Sequence, residues 1–177
     1  MTRSPRVVVL LAFAALGASP VPTPTYRGFT PGMSYRTFAD RARTLAASDT
    51  LRCNTSANTA QLMECGVKIR DPKDSARFYL SAYVIEGRIA MVELFDSAGF
   101  GDKKGAALVD RTRRDLTNVF GKPHPLSASS VQWVYGRQFV RYSWRGKGNA
   151  RWIAITMTDK DVMDGISRYV KRSPSTK

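Results

Sequence analysis

Histidine and cysteine are scarce in this sequence, which has one histidine, His124, and two cysteines, Cys53 and Cys65, among 177 residues. Two thiols without a nearby histidine make an incomplete zinc site, and their spacing is not the C-x-x-C of redox enzymes. The aspartates at 159, 161 and 164 lack the spacing of an EF-hand loop, and a helix N-terminus explains them by capping. The glycines at 99, 101 and 105 form no phosphate-binding motif. The sequence therefore predicts no metal and no cofactor.

Long hydrophobic runs are absent after residue 16. The run at 7–16 follows Arg3 and Arg6 and precedes the small residues Gly17, Ala18 and Ser19, an order typical of a secretory signal peptide. A membrane-spanning helix needs roughly 20 apolar residues, and prolines at 20, 22 and 24 end this run too early. We expect a signal peptide at 1–18, cleaved near Gly17 or Ala18, and a periplasmic or secreted protein that does not span the membrane.

The rest of the chain divides into a Pro/Thr-rich linker at 19–27, a single α+β domain at 28–172 and a disordered tail at 173–177. The linker composition favours extended polyproline geometry. The domain is long enough to bury a hydrophobic core. No cysteine near the cleavage site could accept a lipid, so we expect the mature protein to be released into its compartment.

Catalytic patterns are also lacking. His124 lies between Pro123 and Pro125, which predicts a loop, and no G-x-S-x-G elbow accompanies it. A serine, histidine and aspartate from distant positions can still form a triad, so an exported hydrolase that uses His124 is the alternative to a protein without enzymatic activity.

The two cysteines predict a structural disulfide, because an even pair in an exported protein is first interpreted as a crosslink. They fall on two predicted strands, at 50–54 and 61–69, with a polar turn between them. The bridge would stabilise this hairpin by roughly 3 kcal/mol.

Hydrophobic periodicity predicts an α+β fold with helices packed on an antiparallel β-sheet. Predicted helices span 35–47, 106–120 and the segment from Thr158 or Asp159 to Tyr169, and further strands span 77–85, 88–95, 130–135, 138–144 and 151–158. The sequence at 40–43, DRAR, returns as DRTR at 110–113. This echo predicts a tandem duplication of a helix-plus-three-or-four-strand unit, with halves at 28–96 and 103–170; chance similarity in an arginine-rich chain is the alternative.

Two short motifs carry a resemblance to a known family. The sequence Pro31-Gly32-Met33-Ser34 opens a helix, and Phe120-Gly121-Lys122-Pro123 closes one before antiparallel strands. Both resemble the small envelope proteins of the SmpA/OmlA outer-membrane-assembly type, and the tandem form is similar to the β-lactamase-inhibitor-protein architecture. The resemblance implies a helix layer on an antiparallel sheet and a binding role. The lipid-accepting cysteine of those lipoproteins is missing, so their membrane tether is not carried over.

Positive charge dominates, with 28 Lys and Arg against 14 Asp and Glu. Such an excess attracts polyanions, which outside the cytoplasm are lipid headgroups and envelope polysaccharides more than nucleic acid. In the strand at 138–144 and its flanks, alternation places Phe139, Arg141 and Arg145 on one face, and Val140, Tyr142 and Trp144 on the core face. The candidate binding residues are Arg137, Phe139, Arg141 and Arg145.

We therefore expect an exported binding protein that engages an envelope protein or an anionic lipid or polysaccharide through a basic sheet face. The alternatives are the hydrolase above and a basic structural domain without a specific polyanion partner.

Overall fold

The structure, a computed structural model, describes residues 22–46, 48–57, 59–70, 72, 77–96, 102–147 and 150–170. The predicted signal peptide at 1–18 and the predicted tail at 173–177 lie outside these ranges. Within them, no helix is long and apolar enough to cross a membrane.

The described chain forms one eight-stranded antiparallel sheet with helices, which confirms the predicted α+β class. The elements are α1 (Tyr35–Leu45), β1 (Arg52–Ser56), β2 (Thr59–Arg70), β3 (Arg77–Ile85), β4 (Arg88–Asp96), α2 (Asp102–Phe120), β5 (His124–Ser127), β6 (Ser130–Tyr135), β7 (Gln138–Lys147), β8 (Ala150–Asp159), α3 (Lys160–Asp164) and α4 (Ser167–Val170).

The strand order across the sheet is β1-β2-β3-β4-β8-β7-β6-β5. A helix precedes four consecutive antiparallel strands in each half, and the last strand of each half, β4 or β8, pairs with the other at the centre. Two successive helix-plus-four-strand units joined at their last strands give this order. Whether the halves share an origin stays a prediction.

Strand β5 was not predicted from the sequence, which placed His124 in a loop. His124 pairs with Gln132 and Pro125 with Val131. A proline is tolerated here because β5 is an edge strand, where a residue without an N–H group does not interrupt a ladder on both sides.

Side chains from α1, α2 and one face of the sheet form the main core. Alternation along the strands selects this face: Val67, Leu80, Leu94, Ile155 and Tyr142 are at most 1% exposed and lie on five adjacent strands. Helix α1 adds Phe38, Ala42 and Leu45, and α2 adds Leu116. The helices therefore cover one face of the sheet.

The helix ends differ in detail from those predicted. Ser34 caps α1 by accepting a hydrogen bond from the Thr37 backbone N–H at 3.1 Å, and Ala46 ends the helix. Helix α2 begins at Asp102 instead of the predicted residue 106, so it includes Gly105; residues 97–101 lie outside the described ranges. It stops at Gly121, whose φ is +80°.

The terminal helix is divided in two, α3 and α4, at Gly165 and Ile166. Asp159 caps α3 by accepting a hydrogen bond from the Val162 N–H at 3.0 Å, as predicted for one of two possible capping residues. Val162 packs on Ile85 and Ala90 in a small second core.

The sequence placed the start of the folded domain at Gly28, but residues before Gly28 are also packed in the structure. Pro24 is buried, and Tyr26, 5% exposed, belongs to the main core. The Tyr26 hydroxyl donates to the Asp115 carboxylate at 2.7 Å, and its ring lies 6.1 Å from Phe120. Part of the predicted linker is therefore packed against α2.

Candidate functional site

The candidate site is the face of the sheet opposite α1 and α2, which we call the open face. Residues of β3, β4, β7 and β8 dominate it, and α3 borders it at one end through Ile85 and Ala90. Strand alternation and the register of the sheet place each of these side chains on this face. The open-face residues that matter below are Tyr79, Tyr83, Met91, Glu93, Phe95, Phe139, Arg141, Arg145 and Trp152.

The alternation predicted for β7 is confirmed. Val140 and Tyr142 are fully buried, while Arg141 and Arg145 are exposed and Phe139 is half-buried. Neither Arg141 nor Arg145 has a hydrogen-bond or ion-pair partner among the described side chains. These two guanidinium groups on β7 are therefore accessible to a ligand. Their predicted role in binding stays a prediction, and their exposure is compatible with it.

Arg137 is placed apart from these two arginines. It lies in the turn between β6 and β7, where it forms ion pairs with Asp161 and with Asp164, the latter at 2.7 Å. The Asp161 carboxylate, followed by Asp164, raises the pKa of Arg137. These ion pairs link α3 to the β6–β7 turn. Because the charge of Arg137 is already paired, we do not include Arg137 in one binding site with Arg141.

Most of the aromatic residues between 133 and 152 belong to the core or pack against it, including Tyr142 and Trp144, which the sequence placed on the core face of β7. Trp133 is 2% exposed and donates its indole N–H to the Gly121 carbonyl at 2.7 Å. The Tyr135 hydroxyl donates to the Phe120 carbonyl at 3.0 Å. These two side chains satisfy carbonyls at the end of α2, so they position the helix and are not available to a ligand.

A row of aromatic side chains on the open face was not predicted. Tyr79 on β3 is directly opposite Phe95 on β4, and the Phe95 ring lies 6.0 Å from that of Trp152 on β8. Tyr79 is 48% exposed and Tyr83, also on β3, is 41% exposed. Large aromatic side chains that stay partly exposed together are typical of interaction sites.

The open face carries charges of both signs. Arg141, on β7, lies in the same row as Glu93, on β4, with Thr156 between them. Glu93 is half-buried, and desolvation raises its pKa. The open face is therefore mixed in charge: Arg141 and Arg145 on β7 and Arg77 on β3 are basic, and Glu93 on β4 is acidic.

An apolar groove of about 290 Å³ lies at the β1–β3 end of the open face. Leu62, Tyr83 and Ile85 line it, together with Ile166 from the segment between α3 and α4. Its outer wall, Ile166, is 39% exposed. The groove extends the aromatic row with an apolar surface that can accept a side chain.

The two cysteines lie where the hairpin requires. Cys53 on β1 is directly opposite Cys65 on β2, and their sulfur atoms are 2.13 Å apart, at disulfide distance. The bridge therefore joins the edge strand β1 to the body of the sheet.

His124 is exposed on the edge strand β5. Within the described ranges its side chain has no hydrogen-bond partner, acidic or otherwise.

The three aspartates at 159, 161 and 164 each have a partner nearby. Asp159 caps α3 and accepts a hydrogen bond from Gln138 at 2.9 Å, and Asp161 and Asp164 pair with Arg137. No group of three or more metal-ligating side chains occurs in the part of the chain that is described.

No protein-family model, no curated protein and no solved structure matches this chain.

Proposed function

We propose that this chain is an exported, non-enzymatic binding protein that holds a macromolecular partner on its open sheet face. One observation supports this most: on the face opposite the helices, the aromatic side chains Tyr79, Phe95 and Trp152 are partly exposed, and Arg141 and Arg145 have no charge partner among the described residues. A sheet that has already buried its core on one face has no structural need for such residues on the other.

The chemistry of the face fits binding. Exposed aromatic rings supply contact area at low entropic cost, and arginines add directed hydrogen bonds to acidic groups. Both residue types are enriched where binding energy concentrates. The partner is an envelope protein or an anionic envelope component, as expected from the sequence.

The export part of the proposal is supported by the apolar run at 7–16 and by the cysteine pair at disulfide distance. Disulfides persist in oxidising compartments such as the periplasm or the medium. The likeness to SmpA/OmlA-type proteins remains a prediction from two short motifs.

Charge reversal on the open face tests the proposal. The double variant Arg141→Glu, Arg145→Glu should retain about tenfold less partner from an envelope extract than the wild type, because two exposed cations become anions. Affinity capture on the immobilised protein, followed by quantitative mass spectrometry, measures this retention.

The matched control is Arg111→Glu, Arg114→Glu, which makes the same charge change on exposed residues of α2 in the helix layer. We expect wild-type retention from it, and from His124→Ala. If both double variants lost partner retention equally, the loss would be explained by net charge and not by the open face. If His124→Ala lost retention, the hydrolase alternative would be favoured.

A further inference from the structure

Glu93 lies near the centre of the open face, on β4. Its sequence neighbours Val92 and Leu94 are fully buried in the main core, so its own side chain lies on the opposite face. Glu93 is directly opposite Ser81 on β3 and Thr156 on β8. Both are small, and neither offers a positive charge.

Apolar and aromatic side chains surround this carboxyl group. Along β4, the next residues on the same face are Met91 and Phe95. On β3, Tyr79 is opposite Phe95 and Tyr83 is opposite Met91, which places both residues diagonally from Glu93. The Tyr79 ring leans over Gly66 on β2, on the side of Ser81 away from Glu93. Glu93 is therefore flanked by Met91, Phe95 and Tyr83. The nearest charged residues of β2 on this face are Glu64, opposite Tyr83, and Lys68, opposite Tyr79.

Nothing in the described ranges neutralises this carboxylate: Glu93 accepts no hydrogen bond and forms no ion pair. Arg141 is the nearest cation in its row, but it is two strands away, about 10 Å at ordinary strand spacing. Desolvation by the surrounding side chains raises the pKa of Glu93. A half-buried acid without a partner is costly unless a ligand completes it.

We propose that Glu93, with the rings of Tyr83 and Phe95, is the recognition site for a lysine or arginine side chain of a partner protein. This inference rests on the proposed function and identifies the partner as a protein. A cation over aromatic faces is attracted by the ring quadrupoles, and a carboxylate adds a charge-assisted hydrogen bond.

The chemistry favours a protein over an anionic polymer. A polyanion that covered Arg141 and Arg145 would bring negative charge against Glu93, whereas a protein segment can present one cation to Glu93 and one acid to Arg141. The two charges lie in one row of the sheet, so the complementary residues of the partner would be about 10 Å apart.

A titration with Nα-acetyl-arginine amide tests the site without the natural partner. Nuclear magnetic resonance of the isotope-labelled protein follows the backbone amides of β3 and β4 and the Glu93 side-chain carboxyl. We expect saturable shifts centred on Glu93, and an affinity that increases with pH as Glu93 loses its proton. The citrulline amide, which has the same shape without charge, should bind about fivefold or more weakly.

Glu93→Gln should weaken the binding of the arginine amide about fivefold and remove its pH dependence. The matched control is Asp110→Asn, which removes one exposed carboxylate from α2 in the helix layer and should bind like the wild type. Equal binding of the arginine and citrulline amides, or an equal loss in both variants, would overturn the inference.

The inference and the proposed function can fail separately. If the arginine amide does not bind selectively but charge reversal at Arg141 and Arg145 still abolishes partner retention, the open face binds a partner and Glu93 is not the cation site. If Glu93→Gln increases retention from an envelope extract, the occupant is a polyanion and the inference is wrong.

Discussion

Two buried tyrosines tie separate parts of the chain together. Tyr26 links the N-terminal segment to α2 through Asp115, and the hydroxyl of Tyr142 on β7 donates to the Val109 carbonyl of α2 at 3.2 Å. Desolvation by burial is the main cause that raises the pKa of both above the usual tyrosine value of 10.0. Both side chains must therefore stay protonated in the folded protein.

This burial predicts alkaline destabilisation. Above about pH 10 the unfolded chain loses these two protons and the folded chain keeps them, so the free energy of unfolding falls by about 1.4 kcal/mol per pH unit for each tyrosine. Below pH 10 both states are protonated and the two groups add no pH dependence. Urea unfolding across this range measures the slope.

The double variant Tyr26→Phe, Tyr142→Phe should have a flatter slope than the wild type, although it is less stable at neutral pH because two hydrogen bonds are lost. Tyr83→Phe, at an exposed position, should keep the wild-type slope. The prediction is wrong if the double variant and the wild type lose stability equally with pH.

Residues of one type can differ entirely in role. Arg137 and Arg141 are four positions apart in an arginine-rich segment, and the sequence groups them. Arg137 is paired because Asp161 and Asp164 return to the β6–β7 turn through β8 and α3. That return depends on tertiary structure, which periodicity within one strand does not encode.

At the scale of elements, alternation and turn residues are enough to predict most strands. Glu86 and Gly87, between the predicted strands 77–85 and 88–95, both have positive φ, as a two-residue hairpin turn requires. Strand β5 escaped prediction because Pro123 and Pro125 suggest a loop, and only pairing with β6 makes it a strand. The division of the last helix at Gly165 was also not predicted.

The aromatic row shows where the sequence stops being informative. Phe95 and Trp152 come together because β4 pairs with β8, a contact between halves that lie far apart in sequence. Alternation places Tyr79 and Tyr83 on the same face of β3. It could not show that this face is open or which strand lies beyond β4.

The disulfide is an element-scale crosslink with a measurable effect. It joins positions 12 residues apart on β1 and β2, so the chain-entropy model predicts that its loss lowers the free energy of unfolding by about 3 kcal/mol. Urea unfolding of the wild type with and without a thiol reductant measures the difference.

The double variant Cys53→Ala, Cys65→Ala should be destabilised similarly and should no longer respond to reductant. Strand β1 depends on β2 for its pairing, so it should lose amide protection first. A change of less than about 0.5 kcal/mol on reduction would contradict a stabilising role for the bridge.

At the scale of the whole molecule, the two faces of the sheet differ in composition. The helices and the buried face account for the main core, while the open face combines aromatic rings with a carboxylate and two arginines that have no charge partner in the described ranges. The formal net charge of +14 promotes approach to anionic surfaces at long range. The opposite charges of Glu93 and Arg141 give the open face a directional pattern that net charge alone would not.

Site-specific photocrosslinking tests the open face most directly. A photoreactive phenylalanine analogue is placed at Tyr79, which is 48% exposed on the open face, or at Val119, which is 51% exposed on α2. Irradiation of cells that produce each variant should give a discrete higher-mass adduct from position 79 and none from position 119. Adducts of equal yield from both positions, or from position 119 alone, would contradict the assignment of the open face as the binding surface.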